Sequence, residues 1–258
     1  MSSPIVHVAR NTFREAVRDR VLYNLIAFAL LMVGASVLVG QISIDIERNV
    51  VVNLGLTAVS LFGLVIAIFI GIGLVSKEIE KRTLYTILSR PVRRWEFILG
   101  KFCGLVGTLV VNTFFMAVGI FAAILYVTHR FHRPDAYLLL ALYFIVLEFM
   151  IITALALLFS SFTSPLLAAV FAFAVYIIGT FAEDLRGFAA MTQGLTHWFA
   201  TAAAYLVPNF AALNIISAVA HDQPIARALV LHNTLYALLY AAAAVCGAML
   251  IFERRDLR

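Results

Sequence analysis

Residues whose side chains could do chemistry are few in this chain, and they fall into two groups. The first is the stretch Ser76–Lys101, which holds seven of the 19 Lys and Arg residues together with three Glu. The second is Glu148, an ionisable residue near the middle of a long apolar run. A charged stretch between apolar runs is suited to contact a partner in water. A carboxyl group at membrane depth is energetically unfavourable and is by default a functional candidate.

Glu148 needs a polar partner, and other apolar runs offer three: Asn112, His232 and Asn233. Two roles stay open, a structural hydrogen bond between spans and a role toward a substrate or a proton. The second role would suit a membrane-embedded enzyme or assembly factor that uses Glu148 with His232 as an acid–base pair. It would also suit an ion-coupled carrier, which favours internal repeats with matching broken spans. We find only a single break of that kind, at Pro208.

Familiar catalytic motifs are absent from the sequence. There is no G-x-x-x-x-G-K-[ST] phosphate loop, because Gly100-Lys101 is followed by Phe102, and there is no H-E-x-x-H or G-x-S-x-G motif. His129 and His132 form the only close histidine pair, which suits a solvated turn better than a metal site. We therefore expect no catalytic residue, no metal site and no cofactor on this chain, and we do not expect it to be an enzyme.

The composition is typical of an all-α polytopic membrane protein. Hydrophobic residues make up 63% of the chain, charged residues make up 13%, and the mean hydropathy is +1.00, whereas soluble domains are roughly 25% charged. Cys103 and Cys246 lie in or beside apolar runs, where cysteine acts as a small hydrophobic residue, so no disulfide framework is expected. The first apolar run is too long for a cleaved signal peptide. We predict a single membrane domain over 1–258.

Six apolar runs are each long enough to cross a bilayer, which takes about 20 residues. They lie at about 21–40, 54–75, 101–127, 137–159, 165–182 and 229–252. Before the first run, residues 4–20 place apolar side chains on one helical face and Arg10, Arg14 and Arg18 elsewhere. This pattern predicts an N-terminal amphipathic helix that lies in the membrane interface. A solvated lead-in to the first span is the alternative.

The distribution of positive charge predicts the orientation of the spans. With six spans and a cytoplasmic N-terminus, the cytoplasmic segments hold 14 Lys and Arg and the outer segments hold five, in agreement with the positive-inside rule. A seventh span within 183–228 would place the basic C-terminus outside. We therefore predict that both termini are cytoplasmic. We also predict that 183–228 forms two short helices on either side of Pro208, as a broken or re-entrant outer segment; an irregular outer loop is the alternative.

The stretch Ser76–Lys101 divides into two pieces at Pro91. Ser76 is suited to cap a helix whose first turn contains Glu78 and Glu80, because carboxylates are favoured at a helix N-terminus. Pro91 then ends that helix and can begin the next one. The result is a short amphipathic helix between the second and third spans, at the cytoplasmic face. Such a helix is suited to dock into a groove on a soluble partner.

A pattern of eleven residues runs through this stretch: Glu78, Glu80, Thr83, Leu84, Ile87, Leu88, Ser89, Pro91, Arg94, Gly100 and Lys101. It resembles the signature of the type-2 ATP-binding-cassette permeases, which runs roughly E-x-E-x-G-T-L-x-x-L-L-x-x-P-x-x-R and ends at G-K before the third span. The amphipathic first helix, the six spans, the broken segment and the closing Phe252–Leu257 are also similar to that family, so the likeness covers essentially the whole chain. Where the family usually has Gly before the Thr, this chain has Arg82, which disfavours a tight glycine-dependent bend.

The resemblance implies that 77–89 is a coupling helix that contacts a separate cytoplasmic ATPase chain, where ATP and Mg would be bound. The contact residues it implies are Glu78, Glu80, Arg82, Thr83, Leu84 and Leu88. It further implies a permease subunit of an exporter in the plasma membrane, the inner membrane in bacteria. This subunit would lie in membrane lipid and pair with a second permease chain as a homodimer or heterodimer. Nucleic acid is not expected as a partner, and lipid, drug, metal ion and peptide all stay open as cargo.

Overall fold

The computed structural model describes residues 4–17, 27–28, 31–32, 34–35, 38, 47–80, 93–128, 136–221 and 223–254. This part of the chain folds into helices joined by short turns and contains no strand, which confirms the predicted all-α class. Its helices are α1 (Pro4–Ala16), α2 (Glu47–Glu80), α3 (Arg94–Thr128), α4 (Ala136–Ser160), α5 (Pro165–Thr180), α6 (Ala182–Met191), α7 (Leu195–Leu206), α8 (Ile216–Ala220) and α9 (Arg227–Arg254), and a 3-10 turn covers Ala211–Leu213.

Four of these helices are long and apolar enough to cross a membrane. Their candidate spans are Asn49–Gly73 in α2, Trp95–Tyr126 in α3, Tyr137–Ser160 in α4 and Arg227–Glu253 in α9. Each of them overlaps one predicted apolar run. Two further candidates are bent pairs: α5 and α6 meet at 62°, and α7 meets the Ala211–Ala220 segment at 42°.

The two remaining predicted spans have different outcomes. The run at 165–182 corresponds to α5, which ends at Thr180 before the 62° bend. Most of the predicted first span, 21–40, lies outside the described residues. Its described positions are helical, and two of them, Phe28 and Met32, are buried against the bundle.

The relative direction of α2 and α4 follows from close contacts at two glycines. Gly63 of α2 lies against the ring of Phe149, and Gly71, further along α2, lies against Ala156. The partners advance along α4 in the same order, so α2 and α4 run parallel. Glycine at such positions lets two membrane helices approach closely.

Helix α9 also runs parallel to α4. The hydroxyl oxygens of Tyr143 and Thr234 are 2.9 Å apart near the starts of the two helices, and Leu158 near the end of α4 lies against Gly247. Because α4 and α9 cross in the same direction, the chain between them makes one net return crossing. Helix α5 provides that return, so 183–228 adds no net crossing. An added net crossing within 183–228 would make α4 and α9 antiparallel, so their parallel directions agree with the prediction that this segment holds no seventh span.

Helix α4 is the centre of the bundle and contacts α2, α3, α5 and α9. Helix α9 faces it with a buried stripe of small residues at helical spacing: Ala237, Ala241, Ala244 and Ala248. Association of helices in lipid depends on van der Waals packing, so small side chains at the contact permit the close approach that it needs. Large exposed side chains such as Leu61, Phe114 and Leu239 form the outward surface.

Candidate transmission site and buried polar residues

Helix α2 continues beyond its candidate span into the stretch that carries the family resemblance. The span ends at Gly73, whereas the helix runs unbroken to Glu80, about 10 Å farther along the axis. Ser76 therefore lies inside α2, and the prediction that it caps a new helix is wrong. The physical reason is that extending an existing helix gains one hydrogen bond per residue, whereas a new helix first has to be nucleated.

The predicted ATPase-contact residues fall on both sides of this helix end. Glu78 and Glu80 are helical in the last turn of α2. The other four, Arg82, Thr83, Leu84 and Leu88, lie outside the described residues, so the coupling helix over 77–89 stays a prediction. The described helices on either side of it are α2, which is helical to Glu80, and α3, which begins at Arg94. We call this end of the bundle, with Gly100, Lys101 and Phe252, the signature end.

Helix α3 begins with a local cap. The backbone N–H of Arg93 donates a hydrogen bond of 2.8 Å to Oε2 of Glu96, in the manner of the glutamate half of a capping box. The carboxylate also lies at the positive end of the helix dipole. This cap holds the start of α3 in place directly after the predicted coupling helix.

Helix α1 packs along the first turns of α3 through two glycines. A Cβ atom added to Gly104 would lie 2.6 Å from the carbonyl oxygen of Ala9 and 2.7 Å from Cβ of Thr12. One added to Gly100 would lie 2.7 Å from Cβ of Val8. These distances are too short for any real Cβ, so the Gly-x-x-x-Gly spacing serves to seat α1. The amphipathic character of α1 is confirmed, whereas its predicted place in the membrane interface stays a prediction.

Lys101 and Phe97 join the start of α3 to the end of α9. Lys101 is only 1% exposed, and its Nζ lies 5.5 Å from the centre of the Phe97 ring, as in a cation–π contact. Phe97 stacks on Phe252 with ring centres 6.1 Å apart. Gly100-Lys101 and the closing Phe252 segment are far apart in sequence, and this contact brings the two parts of the resemblance together.

Glu148 is buried in the centre of the bundle, where its side chain hydrogen-bonds to Tyr176 of α5. The Tyr176 side chain also hydrogen-bonds to Ser60 of α2, and the Thr180 hydroxyl donates a hydrogen bond of 2.9 Å to the backbone carbonyl oxygen of Tyr176. The cluster therefore ties α2, α4 and α5 together at membrane depth. None of the three partners that the sequence offers is the one in the structure. The sequence did contain a signal for this contact: Tyr176 lies within an apolar run, and a buried Tyr hydroxyl usually hydrogen-bonds to a polar partner.

His232 and Asn233 lie too near the start of α9 to meet Glu148. Thr234 is level with Tyr143, so His232 is offset from Glu148 by about seven residues, or about 10 Å along the parallel helices. His232 is exposed. The Asn233 amide donates a hydrogen bond of 2.6 Å to the carbonyl oxygen of Ala212 instead.

Asn112 is fully buried on α3 and makes only a weak contact. Its Nδ2 lies 3.7 Å from Sδ of Met116, one turn along the same helix. Its Oδ1 finds no hydrogen-bond partner within the described parts of the chain. The structure therefore does not join Asn112 to Glu148.

The whole arrangement, from α1 to the end of α9, can be compared with known protein families. A family profile described as ABC-2 family transporter protein matches residues 6–257. The chain belongs to this family. No curated protein matches the sequence. Membership makes the chain an integral membrane protein and a membrane subunit of an ATP-binding-cassette transporter, a subunit that in this family is not catalytic.

In this ABC-2 family chain, the segment after α5 is helical on both sides of Pro208, as predicted, and an irregular loop is excluded. It contains more helices than the two predicted. Gly194 lies between α6 and α7 and has a φ of 70°. Glycine adopts a positive φ without strain, so the chain can turn at this position. Trp198 and Tyr205 on α7 are 73% and 75% exposed, whereas Phe210 after the break is 2% exposed.

Polar groups of α9 satisfy the irregular backbone around Pro208. The N–H of Asn209 donates a hydrogen bond of 2.8 Å to the hydroxyl oxygen of Tyr236, and the hydroxyl of Tyr240 donates one of 2.8 Å to the carbonyl oxygen of Leu206. Non-helical backbone at membrane depth is tolerated only where protein or water satisfies it. Asn233, Tyr236 and Tyr240 therefore hold the broken segment onto the bundle.

Proposed function

We propose that the chain is the permease subunit of an exporter, driven by ATP hydrolysis on a separate cytoplasmic ATPase chain through the coupling helix 77–89. The observation that carries this proposal is the family match over 6–257, which spans the whole signature end. The helical extension of α2 to Glu80 supports it, because the helix leads from the membrane span directly into the proposed contact residues. ATP and Mg would be bound by the ATPase chain.

The packing of the signature end suggests how a movement of 77–89 would enter the bundle. A displacement of this segment acts on the end of α2 and on the start of α3. Helix α3 is seated against α1 at Gly100 and Gly104 and stacked on α9 at Phe97 and Phe252. The base of the bundle would then move as one body and shift the equilibrium between inward- and outward-facing states.

The orientation and assembly are part of the same proposal. Both termini lie in the cytoplasm, since this orientation puts 14 of the 19 Lys and Arg residues on the cytoplasmic side of the plasma membrane. Two permease chains pair, as a homodimer or a heterodimer, and each engages one ATPase. The enzyme alternative, with Glu148 and His232 as an acid–base pair, is not favoured, because the two residues are offset by about 10 Å along parallel helices.

Co-purification with the ATP-binding-cassette ATPase encoded beside this chain tests the proposal. The double variant Glu80→Lys with Leu84→Lys should retain at least about tenfold less ATPase, because a misplaced charge in an interface costs several kcal/mol and each step of about 1.4 kcal/mol is tenfold in affinity. The matched control is Glu183→Lys with Leu195→Lys, two exposed positions on α6 and α7, which should bind ATPase normally. Equal retention by wild type and the Glu80/Leu84 variant would contradict the assignment of the coupling helix.

A further inference from the structure

An open cavity of about 840 Å³ lies between the first half of α2 and the described residues of the preceding run. Its walls include Leu31 and Leu38 on one side and Asn53 and Leu61 on the other, with His221 at the rim. Because α2 ends at the signature end, this cavity lies toward the opposite end of the bundle, which we call the far end. Cavities of roughly 300–1,000 Å³ are of the size that binds small molecules.

One wall of the cavity carries a polar stripe inside an apolar span. Asn49, Asn53 and Thr57 are spaced four residues apart, so they lie on one face of α2 over about 12 Å. Thr57 Oγ1 donates a long hydrogen bond of 3.4 Å to Oδ1 of Asn53. No other hydrogen bond of Asn53 is found within the described residues, which leaves its two amide N–H donors for another molecule. Polar groups facing only hydrocarbon would be unfavourable.

The rim of the cavity adds a hydrogen-bond acceptor. Nδ1 of His221 lies 2.9 Å from the carbonyl oxygen of Ser217. Since a carbonyl only accepts, Nδ1 is the donor, and in the neutral ring Nε2 remains an acceptor. The described lining contains no Asp, Glu, Lys or Arg. An ionic headgroup would therefore find no counter-charge among the described lining residues.

We infer that this cavity binds a neutral amphipath, a molecule with an alkyl chain and an uncharged head that carries hydroxyl, ester or amide groups. The alkyl chain lies against Leu31, Leu38 and Leu61, and the head hydrogen-bonds to Asn53, Thr57 and His221. Both a transported cargo and a resident bilayer lipid have this chemistry. The identification of the occupant as cargo rests on the proposed function, whereas the site itself does not.

The test uses the full-length permease in phosphatidylcholine vesicles with two photoreactive probes that carry the same diazirine acyl chain. One probe is a diacylglycerol, with a neutral hydroxyl head, and the other is an anionic phosphatidylglycerol. The diacylglycerol should label peptides that contain 31–38 and 49–61. The variant Asn53→Leu with Thr57→Val should lower that labelling at least about tenfold, for the loss of two to three hydrogen bonds. Unchanged labelling in this variant, or equal labelling by both probes, would overturn the inference.

A control variant and a second measurement keep the result specific. Asn11→Leu with Thr196→Val changes the same residue types at exposed sites outside the cavity and should leave labelling unchanged. A second copy of the chain is the competing occupant. With Cys103 and Cys246 replaced by Ser, a Leu61→Cys variant should form no intermolecular disulfide on oxidation. An efficient disulfide between the introduced thiols of two chains would show that a second copy covers the cavity, and the inference would fail.

Addition of the ATPase chain with ATP distinguishes the two sources of the amphipath. Turnover should deplete the labelled site if the occupant is cargo and should leave it unchanged if the occupant is a resident lipid. Both outcomes support the site. If the ATPase does not bind but the diacylglycerol probe still labels the cavity selectively, the proposed function is wrong and the site is retained. If the ATPase binds but labelling does not depend on Asn53 and Thr57, the site is wrong and the proposed function is retained.

Discussion

The two ends of the bundle are held together in different ways. At the signature end, backbone and side chains interlock: Gly100 and Gly104 leave no space for a Cβ beneath α1, and Phe97 stacks on Phe252. At the far end, the helices are broken, and single hydrogen bonds from α9 hold the irregular backbone. An open cavity lies beside α2 at the same end.

This difference suits a transporter that is moved from one end. Close packing transmits displacement, because interlocked helices cannot slide without a clash. Backbone held by a few hydrogen bonds can rearrange at lower cost, because each bond contributes only about 1 kcal/mol net. A displacement at the signature end would therefore move the helices at the far end and open or close the broken segment there.

Gly104→Ala is expected to have the largest effect on this interlock. The new Cβ would lie 2.6 Å from the Ala9 carbonyl oxygen, so α1 has to move away, at about 3 kcal/mol. Thermal unfolding of the purified protein measures the loss. Gly107→Ala is the matched control, because its Cβ would meet only Phe13 at 3.7 Å, and it should be neutral or slightly stabilising. Equal melting temperatures for both variants would show that α1 is not interlocked with α3.

Asn233→Leu should have the next largest effect, at the far end. It leaves the Ala212 carbonyl without its 2.6 Å hydrogen bond, at about 2 kcal/mol. Limited proteolysis within 207–215 should become faster before the whole protein unfolds, because only the broken segment is released. His232→Ala, at the exposed neighbouring position, should change neither quantity. A global loss of stability without local cleavage would contradict the hydrogen-bonded far end.

Substitutions of Glu148, which lies between the two ends of the bundle, should lower the stability of the protein by a smaller amount. Glu148→Gln keeps a group that can hydrogen-bond to Tyr176 and should cost less than about 1 kcal/mol, whereas Glu148→Leu should cost about 1–2 kcal/mol. Thermal unfolding distinguishes a structural role from a chemical one when it is combined with a transport or ATPase assay. If Glu148→Gln abolished activity at normal stability, the carboxyl group would have a proton or substrate role and not only a packing role.

The sequence predicts those features that depend on composition and local pattern. The long apolar runs predict the four candidate spans of α2, α3, α4 and α9. The charge distribution disfavours a seventh span, in agreement with the parallel directions of α4 and α9. The Ser76 cap fails because a local capping signal competes with a helix that is already propagating from the membrane.

Contacts between helices are beyond the sequence pattern, because they depend on the rotation of each helix. The rotation of the helices brings Tyr176 within hydrogen-bonding distance of Glu148 and brings the Asn233 amide to the carbonyl oxygen of Ala212. The Gly100-x-x-x-Gly104 spacing predicts close packing without naming a partner. In the structure the partner is α1, which would be hard to choose among the neighbouring helices from spacing alone.

The proposed action of an ATPase on this chain through 77–89 can be tested by the ATP hydrolysis rate of the reconstituted complex. The rate is measured in vesicles that contain equal amounts of the ATPase and either wild-type permease, the Glu80→Lys/Leu84→Lys variant or the Glu183→Lys/Leu195→Lys control. We predict that wild type and control stimulate hydrolysis equally and that the Glu80/Leu84 variant does not stimulate it. Full stimulation by the Glu80/Leu84 variant would show that the ATPase does not act through 77–89.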